Sequence, residues 1–187
     1  MTDLDQRVLL SLVHGNALEV SSSDWLPGAP LPAALHTGHK AIDFEHQQLL
    51  ACMQSLRNLC RDFAGKANCA DCALEKRIDC ETDLVGLLGD LLAFILDHFK
   101  SEEVMMRESL LLSMHPEICE AHMEDHANIS SKIQEIILAL DPLHTVGLLR
   151  DLDVLLQRWV SNHIQLHDLM LGRWLESSGQ QLDFGQS

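Results

Sequence analysis

Histidine is unusually frequent in this chain, and several histidines lie beside carboxylates or other histidines at helical spacing. The sequence has 11 histidines among 187 residues, whereas tyrosine is absent. His98 and Glu102 are four residues apart in HFKSE, and His122 and His126 are four residues apart in HMEDH. Residues four apart share one helix face, so each pair could hold one metal ion. This many imidazoles beside abundant carboxylates predicts a metal site.

Three further residues extend the pattern along the chain: His46 stands in IDFEH, and His163 and Asp168 stand in HIQLHD. Any one of these residues alone is more often an ordinary surface or core residue, but their joint occurrence on four successive segments is rarely coincidental. The seven candidate ligands are His46, His98, Glu102, His122, His126, His163 and Asp168. Imidazoles with carboxylates suit a redox-active divalent metal such as iron better than calcium. Five imidazoles and two carboxylates exceed the needs of one ion, so the set matches two ions bridged by the carboxylates.

The elements that must position these residues are helical. The spacing of apolar residues predicts four helices, from Ala41 to near Gly65, from Thr82 to Glu108, from Pro116 to near Leu140, and from Val146 to Ser177. The predicted core residues are Ile42, Leu49, Leu50, Met53, Leu56 and Leu59 on the first helix, Leu84, Leu87, Leu88, Leu91, Phe94, Ile95 and Leu96 on the second, and Leu148, Leu149, Leu152, Leu155, Leu156, Trp159 and Ile164 on the fourth. No alternating strand pattern competes. Four helices with short connections predict an all-α, antiparallel four-helix bundle.

The last pair of candidate ligands departs from ordinary helical spacing. Five residues at 100° each place Asp168 about 140° from His163 on an ideal helix. Spacing alone favours His167, which lies four residues after His163. A local widening of the helix would turn Asp168 inward as well.

The ordered pattern H, HxxxE, HxxxH, HxxxxD resembles the hemerythrin family, and in particular its bacterial hemerythrin-like domains. The motifs that support this resemblance are IDxxH ending at His46, HFxxEE beginning at His98, and WxxxHI ending at Ile164. The match spans about residues 36 to 176. The resemblance implies an up-down-up-down bundle around a non-haem di-iron centre, with two iron ions (Fe2+/Fe3+) and a bridging oxo or hydroxo group.

The same resemblance implies how the seven candidate ligands divide. His122, His126 and His163 would hold one iron, His46 and His98 would hold the other, and Glu102 and Asp168 would bridge the two. It favours Asp168 over His167 and implies reversible binding of dioxygen in an apolar cavity. Candidate residues to line that cavity are Leu49, Leu91, Phe94, Ile95, Phe99, Met123 and Trp159.

The function that the resemblance implies is an oxygen or redox sensor domain or an oxygen carrier, and not an enzyme. Such domains are often joined to signalling outputs, so a signalling output domain or partner protein is expected. The alternatives are a di-iron oxidase or peroxidase and a nitric-oxide-binding iron protein. Ferritin-type oxidases use Glu-x-x-His pairs, and no Glu stands three residues before any of the five candidate histidines.

The sequence divides into a central bundle with flanking segments. Residues 1–38, with a short amphipathic stretch from Asp5 to Val20 and a proline-rich loop, are predicted to form an N-terminal arm. Residues 39–177 form the predicted bundle, in which residues 66–80 are a cysteine-rich loop insertion. Residues 178–187 are a predicted tail or linker.

Charge and hydropathy exclude several partner classes. Lys and Arg total 13 against 28 Asp and Glu, a formal net charge of −15, and the basic residues are scattered, so neither nucleic acid nor an anionic membrane is expected as a partner. Asp90 and Asp97 interrupt the most apolar stretch, which therefore predicts a buried helix and not a membrane span. The acidic start has no secretory signal, which predicts a cytoplasmic protein.

The cysteines are not part of the metal pattern. Cys69 and Cys72 form a CxxC motif with Cys60 and Cys80 nearby. Three interpretations remain open: unpaired thiols, a disulfide or redox pair, and a metal site made by the four thiolates. Cys52 and Cys119 are predicted to be small apolar residues of the core.

Overall fold

The computed structural model describes residues 30–60, 68–141 and 144–183, with side chains through Ser178, and all regular structure in these ranges is helical. The main helices are α1 (Lys40–Asn58), α2 (Leu74–Glu108), α3 (Leu111–Met114), α4 (Pro116–Leu138), α5 (Thr145–His163) and α6 (Leu169–Asp183). A 3-10 turn covers Ala33–Leu35, and a π-helical turn, Ile164–Asp168, joins α5 to α6. Within the described ranges, no helix combines the length and apolar character needed to cross a membrane.

Helices α1, α2, α4 and α5 pack against one another in a ring. Helix α1 packs on α2 and α5, and α4 packs on the same two helices. Candidate ligands near the start of α1, the end of α2, the start of α4 and the end of α5 meet at one level, so successive helices run in opposite directions. The prediction of an all-α helical bundle is confirmed.

Two apolar clusters lie above and below that level. The larger one fills the bundle with residues at three- and four-residue steps, such as Leu84, Leu88, Leu91 and Ile95 of α2. The smaller cluster consists of Ile42, Met106, Leu111, Cys119 and Leu171. The prediction that Leu96 belongs to the core is wrong: its side chain is 44% exposed, because it lies one position, or 100°, from the buried Ile95.

The helix boundaries differ from the predicted ones at three places. Helix α2 begins at Leu74 and not at Thr82, so the second half of the predicted 66–80 loop is helical. The segment LEKRIDC consists mostly of good helix formers without Gly or Pro, and its polar, cysteine-containing composition led to the wrong prediction. Helix α1 ends at Asn58, before Gly65, which lies outside the described ranges. Helix α6 continues to Asp183, so the predicted tail after Ser177 begins as helix, and no proline interrupts that segment.

The end of the predicted N-terminal arm is part of the packed structure. Leu31 and Leu35 are buried against the larger cluster. Thr37 donates hydrogen bonds from its backbone N–H and its hydroxyl to Asp43 Oδ1, at 2.7 and 2.8 Å. The amphipathic stretch predicted for residues 5–20 lies outside the described residues.

Candidate metal centre

All seven candidate ligands are buried and converge on one place. Their ligand atoms form two groups, within each of which every atom lies within 4.8 Å of the others. One group is Glu102, His122, His126 and His163, and the other is His46, His98, Glu102 and Asp168. Glu102 belongs to both groups. The structure therefore brings all seven candidate ligands together.

Asp168 also spans the two groups of histidines. Its Oδ2 lies 3.0 Å from Nε2 of His46. Its Oδ1 lies 3.2 Å from Nε2 of His122 and 3.2 Å from Nε2 of His163. Each oxygen of this carboxylate thus faces a different set of imidazoles.

Glu102 repeats this arrangement from the opposite helix. Its Oε1 lies 3.6 Å from Nε2 of His98, and its Oε2 lies 3.1 Å from Nε2 of His126 and 3.4 Å from Nε2 of His122. Two carboxylates that each face both histidine groups have the arrangement needed to bridge two cations.

Three carboxylates outside the seven candidate ligands fix the orientation of the rings. Glu45 accepts a hydrogen bond from Nδ1 of His98 at 2.8 Å, and Asp125 accepts one from Nδ1 of His163 at 2.8 Å. Glu103 accepts one from Nδ1 of His126 at 3.3 Å. A carboxylate only accepts, so each of these Nδ1 atoms carries the proton, and Nε2 points inward.

The sequence analysis missed these three carboxylates. Glu45 precedes His46, Glu103 follows Glu102, and Asp125 precedes His126. A position next to a ligand lies 100° around the helix, toward a neighbouring helix. The available signal was therefore a carboxylate adjacent in sequence to a candidate ligand.

The π-helical turn explains how Asp168 reaches the site. In this turn the N–H of Leu169 donates to the carbonyl of Ile164, five residues earlier. Hydrogen bonding at this spacing widens the helix, so residues five apart share a face. His163 and Asp168 both point inward as a result, which agrees with the widening considered from the sequence.

His167 lies beside the site. Its ring stacks on that of His122 with centroids 4.8 Å apart, and its Nε2 lies 3.9 Å from Oδ2 of Asp125. Burial and the charges of His122 and His163 lower the pKa of His167 to about 4. A neutral ring at this position supports the packing of His122 without adding charge.

The charges and hydrogen bonds of the site favour positive charge at its centre. Burial and the charge of Asp168 raise the pKa of Glu102, but hydrogen bonds from His122, His126 and His163 outweigh them and hold that pKa far below its usual range. Burial also raises the pKa of Asp168, but the His163 charge and three histidine hydrogen bonds hold it well below the ordinary aspartate value. Burial lowers the pKa of His163, whereas Asp168 and Asp125 raise it well above the ordinary histidine value. Two buried carboxylates that keep their negative charge are what the binding of cations requires.

The donor atoms at the centre of the site fit metal ions. Oε1 of Glu102 is buried and accepts no hydrogen bond from the described residues. The Nε2 atoms of His122 and His163 face each other at 3.3 Å, although His163 already donates through Nδ1 to Asp125. Inward-facing nitrogen lone pairs and an unsatisfied carboxylate oxygen are the donors that a divalent transition metal requires.

Aromatic rings cover one side of the donor set. Phe99 stacks on His126 with centroids 3.8 Å apart and meets Trp159 edge-on at 5.6 Å. Of the residues predicted to line an apolar cavity, Leu49, Leu91, Ile95, Phe99 and Trp159 are buried in the larger cluster, Phe94 packs partly against it, and Met123 packs partly against the smaller cluster.

The remaining described histidines lie outside the site. His36 pairs with Asp43, His144 pairs with Asp141 on the surface, and His115 contacts Trp174. His39 precedes the first residue of α1. His14 lies outside the described residues.

Comparison with known families agrees with this geometry. A family model described as the hemerythrin HHE cation binding domain matches residues 37–175. The chain belongs to the hemerythrin family. The matched range of this hemerythrin domain holds all seven candidate ligands, and domains of the family bind cations. No curated protein and no solved structure gives a significant match to the chain.

Proposed function

We propose that this hemerythrin domain holds two iron ions and binds dioxygen reversibly, as an oxygen or redox sensor or an oxygen carrier. His122, His126 and His163 would hold one iron, His46 and His98 would hold the other, and Glu102 and Asp168 would be shared between them. The observation that carries the proposal is that both buried carboxylates direct their two oxygens toward different histidine groups. A single ion would leave one oxygen of each carboxylate without a partner.

The two histidine groups differ in size, which leaves room for a small uncharged ligand on one side. An iron pair, when bound, supplies the two electrons that reversible dioxygen binding requires. The group with His46 and His98 offers one histidine fewer than the other group, so we assign dioxygen access to that side. The hydrogen bond from His98 to Glu45 keeps its ring in place there.

The apolar clusters support binding without chemical turnover. Leu49, Ile95 and Phe99 lie on one side of the donor set, and Ile42 and Met106 lie on the other. Burial of this kind excludes water and the protons that would convert a bound gas into products. The histidine-rich donor set also lacks the Glu-x-x-His pairs of ferritin-type oxidases. A non-enzymatic role is therefore the one we propose.

Metal analysis with a visible spectrum tests the proposal. The full chain is reconstituted with ferrous iron, its metal content is measured, and the anaerobic spectrum is compared with those recorded after air and then vacuum. Two irons per chain and a charge-transfer band that air induces and vacuum removes are expected. His122→Ala should lose this behaviour, whereas His144→Ala, a histidine change on the surface, should keep it.

Other outcomes would redirect or overturn the assignment. Two irons that oxidise irreversibly on first exposure to air would favour a di-iron oxidase or peroxidase. A nitric oxide complex without a reversible dioxygen band would favour a nitric-oxide-binding protein. Failure to retain two metals would contradict the di-iron assignment.

The sensor version makes a separate prediction about shape. If the domain reports oxygen or redox state, the diferrous and diferric forms should differ in protease sensitivity and in solution scattering. Identical patterns for both forms would contradict the sensor version and leave the carrier version in place.

A further inference from the structure

Four cysteines surround one small cavity at the other end of the bundle. Cys60 follows α1, Cys69 and Cys72 lie in the turn before α2, and Cys80 lies in the first part of α2. The cavity they line, here named the cysteine cavity, has a volume of about 30 Å³. That volume suits one ion or one water molecule and excludes an organic ligand. All six cysteines of the chain are present as thiols.

The cysteine cavity is remote from the candidate metal centre. Cys80 and His98 lie on the same helix and are 18 residues apart. At 1.5 Å per residue, this separation is about 27 Å along α2. Neither the seven candidate ligands nor their carboxylate partners line the cysteine cavity.

The CxxC segment already has the backbone of a metal-binding turn. The N–H of Cys72 donates to the carbonyl of Cys69 at 3.1 Å. Such a turn places both side chains near one point, which is why two cysteines separated by two residues recur in thiolate zinc sites. Cys60, just after α1, and Cys80, in α2, supply the other two thiols.

The charges around the cavity suit a negatively charged complex of a metal ion and thiolates. Lys76 and Arg77 line it, and the Nε of Arg77 is buried without a hydrogen-bond partner among the described residues. A buried guanidinium N–H without an acceptor is costly. A divalent ion with four thiolates keeps two negative charges, which these two cations would balance.

We propose that Cys60, Cys69, Cys72 and Cys80 bind one zinc ion that fastens the end of α1 to the start of α2. On binding, each thiol gives its proton to solvent and its sulfur coordinates the ion, with no change of oxidation state. The cysteine sulfurs do not form a group within 4.8 Å in the described structure. The ion therefore draws the turn at residues 68–73 toward the two helices. Leu59, Val146 and Leu149 shield the site from water.

Cobalt(II) is the probe that tests this site, because its sulfur-to-metal charge-transfer band reports thiolate ligands and ignores histidine ligands. The reduced, iron-loaded full chain is titrated with cobalt(II), which is then displaced by zinc. We expect the band to grow to one equivalent per chain and to disappear when zinc is added. The change His122→Ala should leave the band intact, so the result is independent of the proposed iron centre.

Matched variants identify the residues that bind the metal ion in the cysteine cavity. Cys72→Ser and Cys80→Ser should weaken the band and lower zinc affinity more than about tenfold, whereas Cys52→Ala, at a thiol outside the cavity, should change neither. Arg77→Gln should keep one zinc per chain and lower its affinity about tenfold, as the loss of an outer partner typically does. Absence of the band, or a band unchanged in Cys80→Ser, would overturn the proposal. Chain isolated without zinc and with these cysteines joined as disulfides would also overturn it.

Discussion

Replacing Gly172 by alanine should destabilise the domain strongly, although glycine is the poorer helix former. A Cβ built on Gly172 would lie 2.5 Å from the carbonyl oxygen of Thr37 and 2.9 Å from its Cβ. Gly172 belongs to α6, and Thr37 lies just before α1, so the contact joins the two ends of the described fold. The obstructing atom is backbone and cannot rotate away.

The size of the effect follows from what Thr37 does. Moving the carbonyl from 2.5 Å to an ordinary contact of 3.4 Å shifts Thr37 by about 0.9 Å, enough to break a hydrogen bond. Its N–H and hydroxyl bind Asp43 at 2.7 and 2.8 Å. Overpacking costs about 1–3 kcal/mol, each bond to a carboxylate contributes about 1.5–3 kcal/mol, and helix propensity returns about 0.8 kcal/mol. With one of the two bonds lost, we expect a net loss of about 2–5 kcal/mol, or about 4–20 °C in Tm for a domain of this size.

Thermal unfolding followed by far-UV circular dichroism measures this loss. The control is Gly86→Ala, because a Cβ at that helical glycine meets nothing within 4 Å and should stabilise the protein by about 0.8 kcal/mol. In an Asp43→Asn background the cost of Gly172→Ala should shrink, since part of the strain acts through the Thr37 bonds. A Gly172→Ala protein as stable as Gly86→Ala would refute the reasoning.

Three further predictions concern the metal centre and the start of α1. Asp125→Ala should lower iron affinity about 10–100-fold, as measured by chelator competition, because Nδ1 of His163 loses its acceptor. Asp168→Ala should abolish binding of two irons, whereas His167→Ala should retain it, because the π-helical turn directs Asp168 and not His167 at both histidine groups. Burial raises the pKa of Asp43, but hydrogen bonds from Thr37 hold it below its ordinary value. The stabilisation from Asp43 is therefore complete above the ordinary aspartate pKa and is lost as the pH falls through the lowered pKa. The difference in unfolding free energy between the unchanged protein and Asp43→Asn should accordingly be largest near neutral pH and shrink below about pH 4.

Each of these expectations has an outcome that contradicts it. The control is Asp151→Ala, an exposed aspartate that lines the same surface pocket as Asp125. Iron affinity unchanged in Asp125→Ala relative to that control would mean that His163 needs no outer partner. Loss of iron in His167→Ala alone would reverse the assignment of the last ligand. A stability difference at Asp43 that grows in acid would show that its carboxylate is destabilising.

The sequence predicted the helical architecture and the pairing of candidate ligands within a helix well, because both follow from local periodicity. His98 with Glu102, and His122 with His126, share a helix face at any packing angle. The position of Asp168 does not follow from periodicity, because on an ideal α-helix its side chain would point away from the site. It points into the site because the helix widens where the N–H of Leu169 donates to the carbonyl of Ile164. Periodicity alone does not reveal a π-helical turn.

Features that depend on how helices dock were not predictable in this way. The bond between Glu45 and His98 spans 53 residues of sequence, and the contact between Thr37 and Gly172 spans almost the whole described chain. Such contacts depend on tertiary packing, which no local pattern records. The start of α2 was predicted wrongly for a different reason. The cysteines and charged residues in 74–80 are typical of a loop, although the segment is helical.

The hydrogen bonds between carboxylates and histidines link the helices in the order in which they occur along the chain. Glu45 of α1 holds a histidine of α2, Glu103 of α2 holds one of α4, and Asp125 of α4 holds one of α5. Asp168, just after α5, returns to His46 on α1. Each of these three histidines therefore has its carboxylate on a helix that precedes it in the chain. Because Asp168 is the last candidate ligand in the chain, the donor set is complete only once residue 168 has been synthesised.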